Sequence, residues 1–239
     1  MLRKTIKVVD KGIDRVVLIV SLHFFLICRY AMIDAVMVYY NANDQSVLKY
    51  KPHGKEDAAI LRELSDDAVA WLTVDNTNID YPVMQGKTNS EYLNKDPYGE
   101  YSLSGSIFLD SRCDGEFKDA YSLLYGHHMD YGSMFGALDE FIKPDYFSTH
   151  RTGTLITVGG EEYKINFFAA AKAPGDEEII FDPPTTTNEK LLNFIKKNAA
   201  IYEEPQDRAH IIALSTCQSA ENIERMLVFG ILSHRFANL

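Results

Sequence analysis

An apolar segment near the amino terminus constrains most strongly what this chain of 239 residues can fold into. Residues 16–40, VVLIVSLHFFLICRYAMIDAVMVYY, begin with 13 residues that carry no formal charge, and together they are long enough to cross a bilayer as a helix. Arg29 and Asp34 interrupt the second half, where arginine can reach the interface or pair with the aspartate. The segment predicts an uncleaved membrane anchor, with a cleaved signal sequence or a buried amphipathic helix as the alternatives.

The charges that flank this segment predict its orientation. Five basic residues precede it and stay in the cytoplasm by the positive-inside rule: Arg3, Lys4, Lys7, Lys11 and Arg15. We therefore expect a single-pass protein of the plasma membrane whose remaining chain lies on the extracellular, cell-wall side. The predicted domains are a cytoplasmic basic segment (1–15), the transmembrane anchor (16–40), a linker with a short helical spacer (41–65) and one folded domain (66–239).

The overall charge argues against one class of partner. The chain carries a net charge of −10, whereas a protein that follows the phosphate backbone of a nucleic acid shows a basic stripe. We therefore expect no nucleic-acid partner. The 14 tyrosines and 13 phenylalanines suit a β-rich domain.

Short apolar or alternating runs, separated by polar turns, predict a mostly β domain resembling a barrel. The clearest hairpin spans 153–173, where two β-rich runs meet at Gly159-Gly160. The other predicted strands are 70–75, 81–85, 105–110, 121–126, 211–217 and 225–233.

Helical patterns are fewer. Residues 56–64 and 133–141 have helical spacing, and residues 187–200 have the strongest pattern, with Thr187 as its N-cap. This last helix lies in a long connection, about 174–208, and connections of that length in a compact domain are usually functional.

The cysteines leave two interpretations open. Cys28 lies in the apolar segment, so Cys113 and Cys217 are the two in the folded domain. An exported protein often pairs its cysteines, which allows a structural disulfide between these two. The alternative is that Cys217, at the end of strand 211–217, stays free because its thiol is a nucleophile.

A thiol nucleophile needs a group that transfers protons and a group that stabilises the oxyanion. His127 follows the strand 121–126 directly, and Gly126 before it is expected to allow a sharp turn. Arg225 opens the strand after Cys217, so a hairpin of the last two strands brings both residues to one end of the sheet. Because the side chains of His127 and His128 point to opposite faces of an extended segment, we expect no metal site.

Several separated motifs together resemble the class B sortases. LSTC, followed eight residues later by Arg225, is similar to the cysteine signature of sortases, and YGHHM (125–129) is similar to their histidine motif. IDYPVMQG (79–86), NSEYL (89–93) and GSIFLD (105–110) resemble early-strand motifs of class B. One departure is Ala213, which stands where the family usually has threonine.

This resemblance implies a sortase-like eight-stranded β-barrel with a few helices and a cysteine transpeptidase activity. Such an enzyme cleaves a C-terminal sorting motif of a secreted surface protein through a thioester and transfers that protein to an amine of the peptidoglycan cross-bridge. Cys217 would be the nucleophile, His127 the proton-transfer group and Arg225 the group that stabilises the oxyanion or holds the substrate backbone. The resemblance further implies substrate contacts at Asn89, Leu93, Tyr125, Ser215 and Thr216, and no cofactor or metal.

Two rival functions remain open at the level of sequence. An envelope cysteine peptidase, in which hydrolysis dominates, would use the same nucleophile and histidine. A non-catalytic anchored β-domain would instead hold Cys113 and Cys217 in a structural disulfide.

Overall fold

A computed structural model of the protein describes residues 2–42, 44–216 and 224–234. The chain divides into two compact units, Met1–Asn41 and Ala42–Leu239. The first unit is part of a continuous helix, α1 (Leu2–Ala42), which by length and composition is able to cross a membrane.

Eight strands of the second unit form a closed β-barrel, as the resemblance predicted. Their order is β5-β1-β2-β3-β4-β8-β9-β6, and the pairing of β5 with β6 closes the ring. The two-residue strand β7 pairs with β6 outside this ring. The strands are β1 (Ala68–Val74), β2 (Asp80–Met84), β3 (Ile107–Leu109), β4 (Tyr121–Gly126), β5 (Thr152–Thr157), β6 (Glu162–Pro174), β7 (Ile201–Tyr202), β8 (Ile211–Thr216) and β9 (Glu224–His234).

Alternate residues of the strands build two apolar layers. One cluster takes side chains from all eight barrel strands and therefore fills the barrel interior; Val228 of β9 belongs to it. The other joins the outer faces of the strands to the helices, and Leu227 of β9 belongs to it. Because β8 is buried on both faces, its sequence is a nearly continuous apolar run instead of an alternating one.

Short helices surround the barrel, and the strongest predicted one is confirmed. The Thr187 side chain accepts a hydrogen bond from the Lys190 amide and caps α5, whose Leu191 and Ile195 are buried. The α-helices of this unit are α2 (Leu61–Leu64), α3 (Pro144–Thr149), α4 (Glu178–Phe181) and α5 (Asn188–Asn198). The 3-10 helices are Gln45–Tyr50, Lys55–Ile60, Glu91–Leu93, Asp130–Gly132, Gly136–Ile142 and Pro183–Thr185.

Two predicted helices differ from the structure. The pattern at 56–64 is a 3-10 helix that continues into α2, and the pattern at 133–141 is a 3-10 helix that starts only at Gly136. Met134 has a φ of 51°, in the left-handed region, so a right-handed helix cannot run through it. The predicted linker also contains the 3-10 helix Gln45–Tyr50, whose Val47 is buried in the outer cluster.

The strand pairings bring three chain positions to one end of the barrel. β4 and β8 are parallel, and Gly126 is the register partner of Thr216 at their carboxyl ends. β9 returns antiparallel to β8, with Ser215 opposite Leu227. Arg225 lies two residues before Leu227 and opposite Ala173 of β6. The end of β4, the end of β8 and the start of β9 are therefore neighbours.

Candidate active site

His127 follows the last residue of β4 and is held by a backbone carbonyl. Its Nε2 lies 2.7 Å from the carbonyl oxygen of Leu93. A carbonyl oxygen only accepts, so Nε2 carries the hydrogen and donates it. In the neutral ring, Nδ1 is therefore the nitrogen with a free lone pair, which can exchange a proton with a reacting group.

Gly105 makes this arrangement of His127 possible. Its φ of +58° lies in the left-handed region, and a Cβ at this position would lie 2.5 Å from the Leu93 oxygen and 3.0 Å from Cδ2 of His127. Only glycine satisfies both the backbone conformation and the close approach. The glycine of the GSIFLD motif therefore shapes the position of the histidine.

Glycine is required at position 126 for a reason other than the sharp turn that was expected. It is the last residue of β4 and is not among the glycines with positive φ. A Cβ at this position would lie 2.4 Å from Cδ1 of Ile107 and 2.8 Å from the Phe135 ring. The requirement for glycine is therefore close packing beside the strand end.

His128 has a different partner from that of His127. Its Nε2 lies 2.7 Å from Oδ2 of the exposed Asp139. Within the described parts of the chain, no group of three or more histidine, cysteine, aspartate or glutamate side chains is placed to hold a metal ion.

Arg225 lies against two aromatic rings. Its guanidinium carbon is 4.6 Å from the ring centroid of Phe181 and 5.7 Å from that of Tyr125. Both distances allow cation–π attraction. The Nε atom of Arg225 is buried and has no hydrogen-bond partner among the described residues. Gly175 permits the close approach, since a Cβ there would lie 2.8 Å from this Nε.

Asp110 is the centre of a network that the sequence did not reveal. It follows β3 and is completely buried. Arg112 donates to it from Nε and Nη2, at 2.9 and 2.8 Å. Asn89 donates from Nδ2 at 2.8 Å, and the Tyr125 hydroxyl donates at 3.1 Å. Burial alone would raise the pKa of Asp110, but the hydrogen bonds from Arg112 and Asn89 hold the pKa below its usual value.

Arg112 also binds the segment that carries Phe181. Its Nη1 donates to Oδ1 of Asp182 at 2.9 Å, and its Nη2 donates to the carbonyl oxygen of Phe181 at 2.7 Å. A single guanidinium group thus connects the end of β3 to the end of α4. The sequence contained one signal for it, an arginine two residues after an aspartate that ends an apolar strand.

Two of the residues predicted to contact substrate, Asn89 and Tyr125, belong to this network, and most polar groups of the five have protein partners. Asn89 also accepts from the Ser111 amide at 2.7 Å. The buried Ser215 hydroxyl donates to the carbonyl oxygen of Thr216, whose own hydroxyl accepts from the Met226 amide at 2.9 Å. Leu93 is partly buried in the outer apolar cluster. Substrate contact at these positions stays a prediction.

The two cysteines of the second unit differ in what the structure describes. Cys217, the predicted nucleophile, lies outside the described residues, which end on this side at Thr216. Cys113 is a free thiol buried in the barrel interior, and burial raises its pKa to about 12.

Comparison with known proteins identifies the family. The sortase domain family model matches residues 72–233. Sortase B of Listeria monocytogenes is 33% identical over 205 residues, covering 83% of this chain and 82% of the relative. Sortase B of Staphylococcus aureus is 30% identical over 188 residues, covering 75% of this chain and 76% of the relative. The chain belongs to the sortase family. Its relatives are of class B, as the motifs predicted, and this membership supports a cysteine transpeptidase.

Solved structures agree with this membership. A Streptococcus pyogenes class B sortase involved in pilus biogenesis is 39% identical, with a TM-score of 0.67 over 72% of this chain and 96% of that one. The Staphylococcus aureus sortase B–substrate complex is 27% identical, with a TM-score of 0.70 over 79% of this chain and 90% of that one. A sortase B complexed with triglycine has a TM-score of 0.69 at 27% identity and covers 79% of this chain and 91% of that one.

Proposed function

We propose that this chain is a membrane-anchored transpeptidase that cleaves a C-terminal sorting motif of secreted proteins and transfers them to a cell-wall amine. The observation that carries the proposal is the parallel pairing of β4 with β8. Gly126 and Thr216 are register partners, and the residues that follow them in the chain are His127 and Cys217. The nucleophile and the proton-transfer group thus follow two adjacent strand ends, beside Arg225.

The proposed reaction has two halves. The Cys217 thiolate attacks the carbonyl carbon of the residue before the scissile bond, and the C–N bond breaks to leave a thioester. The doubly protonated His127 gives the Nδ1 proton to the departing amine while its Nε2–H stays on the Leu93 carbonyl. An incoming amine then attacks the thioester, loses its proton to Nδ1 and releases the thiolate, so the cycle returns to its starting protonation state.

Arg225 is proposed to stabilise the oxyanion of both tetrahedral intermediates. Its guanidinium stays charged at all relevant pH values and presents donors in a fixed fork. The buried Nε, which has no partner among the described residues, supports this role because a donor held away from water is worth more to a developing charge.

The substrates and the location follow from the same proposal. Asn89, Leu93, Tyr125, Ser215 and Thr216 would line the groove for the sorting peptide. The structures of relatives with a substrate and with triglycine support a peptide and an amine as the two reactants. The apolar helix would anchor the chain in the plasma membrane, with 1–15 in the cytoplasm, 16–40 in the bilayer, 41–65 as a spacer and 66–239 as the catalytic domain outside.

The experiment is a peptide-cleavage assay with the full-length chain in detergent micelles. A library of quenched fluorescent sorting peptides is incubated with and without an acceptor amine such as triglycine. The variants are Cys217→Ala, His127→Ala and Arg225→Ala, and His128→Ala is the matched control because its side chain pairs with Asp139.

Each outcome distinguishes one possibility. Cleavage that Cys217→Ala and His127→Ala abolish, that Arg225→Ala lowers to a residual rate and that the control retains, with product diverted to the amine, supports the transpeptidase. Cleavage whose products are the same with and without the amine supports the peptidase in which hydrolysis dominates. Cleavage that survives Cys217→Ala refutes the mechanism.

A further inference from the structure

We propose that Arg112, held by the buried Asp110, is a positioning residue that fixes the two aromatic rings against which Arg225 lies. The proposal rests on the function proposed above, in which Arg225 acts on the oxyanion. Nothing in the sequence motifs assigned a role to Asp110 or Arg112.

The Asp110 carboxylate is held in a fixed position. Its side chain is fully buried and accepts hydrogen bonds from Arg112, Asn89 and the Tyr125 hydroxyl. The backbone amide of Arg112 donates to it as well, at 3.0 Å. A buried carboxylate with several charge-assisted or neutral donors is fixed in position, because each lost bond would leave a charge desolvated.

The Arg112 guanidinium links the fixed Asp110 carboxylate to the end of α4. One edge, Nε and Nη2, meets both oxygens of Asp110, as in a bidentate arginine–carboxylate pair. The Nη1 and Nη2 groups also reach Asp182 and the Phe181 carbonyl. Lysine has a single ammonium point and cannot reproduce this planar set of contacts.

Both rings beside Arg225 are therefore tied to the same carboxylate. Tyr125 is tied directly through its hydroxyl, and Phe181 is tied through its own carbonyl and Arg112. The two rings are nearly parallel, with an interplanar angle of 15° and centroids 6.4 Å apart. They form a platform on which the Arg225 guanidinium lies, at 4.6 Å and 5.7 Å from the ring centres.

The platform matters because cation–π attraction alone positions an arginine loosely. The contact depends weakly on how the guanidinium slides over a ring, whereas an oxyanion needs donors at hydrogen-bond distance. If the rings move, the donors of Arg225 move with them, and a displacement of about 1 Å can cost on the order of 100-fold in rate. Arg112 thus acts through Arg225.

A purely structural role for Arg112 makes different predictions from a positioning role, so experiments can separate the two roles. The activity variants are Arg112→Ala and Arg112→Lys in the full-length chain. Arg151→Ala is the matched control, because the Arg151 side chain is 41% exposed and paired with Glu203, while that of Arg112 is 42% exposed. The double variant Arg112→Ala/Arg225→Ala closes a double-mutant cycle.

We expect kcat to fall roughly 10- to 100-fold in both Arg112 variants and to stay unchanged in the control. The double variant should be no slower than Arg225→Ala alone, because the first residue acts through the second. Multiplicative losses, full activity in Arg112→Lys, or a fall in melting temperature with kcat unchanged would each overturn the proposal.

A second readout does not depend on turnover and so separates this proposal from the proposed function. In NMR spectra, the Nε–H group of Arg225 should exchange slowly with solvent in the unmodified protein, because it is buried. The Arg112→Ala variant should exchange it much faster, and Arg151→Ala should not. If the Arg225 signal is the same in all three proteins, the platform does not depend on Arg112, whatever the catalytic assay gives.

Discussion

Replacing Gly105 by alanine should displace His127 although the histidine itself is unchanged. The new Cβ would lie 2.5 Å from the Leu93 carbonyl oxygen, 2.7 Å from the Tyr92 carbonyl oxygen and 3.0 Å from the His127 ring. The first two neighbours are backbone atoms, which cannot rotate away as a flexible side chain can. The Leu93 oxygen is also the acceptor that orients the histidine, so relief of the clash displaces the acceptor.

The expected loss of stability in Gly105→Ala has two parts. A left-handed backbone with a Cβ costs about 1–2 kcal/mol, and forcing an extra carbon into a packed site costs about 1–3 kcal/mol. The free energy of unfolding should therefore fall by about 2–5 kcal/mol. Gly99→Ala is the matched control, because Gly99 has a φ of +90° but a Cβ added there would meet no atom within 4 Å. It should show only the backbone part.

Two measurements check the prediction. Urea unfolding is followed by the fluorescence of Trp71, the single tryptophan, which is almost fully buried in β1. Peptide cleavage is measured at low temperature, where both variants are folded. We expect Gly105→Ala to lose at least about tenfold in kcat and Gly99→Ala to retain wild-type kcat. Equal activity in the two variants would refute the link between Gly105, the Leu93 carbonyl and the histidine.

Three further predictions follow from single features of the structure. Because the pKa of Asp110 is lowered in the folded state, the ionised carboxylate stabilises the fold above about pH 4, and this contribution is lost as the pH falls through the folded-state pKa. Asp110→Asn should therefore have a lower free energy of unfolding at pH 7, and this free energy should fall less steeply in acid. Urea unfolding at several pH values measures both effects. In a Cys28→Ser background, a thiol reagent at pH 8 should modify Cys217 quickly and the buried Cys113 only after unfolding, whereas protection of both until reduction would indicate a disulfide. Thr187→Ala should lower the free energy of unfolding by about 1 kcal/mol through loss of the cap on α5, and no change would refute the capping contact.

The strands were predictable because their signal is local. Period-two alternation and short buried runs are written in consecutive residues, so the pattern at 121–126 gave β4 and that at 211–217 gave β8 nearly to the residue. The 3-10 helix Gly136–Ile142 was less predictable. Helical spacing extends upstream to 133, but the left-handed backbone at Met134 arises from tertiary packing that no local pattern reveals.

The Asp110 network was beyond sequence reasoning for a related reason. An aspartate after a strand usually indicates a solvated turn, and only its partners make burial affordable. Those partners come from Asn89, Arg112 and Tyr125, which reach it from before β3, after β3 and within β4. The motif residues were visible as a resemblance, whereas the contacts that hold them required the folded chain.

One topological feature accounts for the whole arrangement of the proposed site. Parallel strands cannot be joined by a tight turn, so the pairing of β4 with β8 requires a long crossover between them. That connection first adds β5 and β6 to the barrel and then includes α4 and α5, which pack on the outer face of the barrel, the face to which Tyr125 contributes. The same long connection also supplies Phe181, the ring over which the Arg225 guanidinium lies. A variant that shortens the connection around α4 should for this reason disturb the position of Arg225 more than it lowers the stability of the barrel.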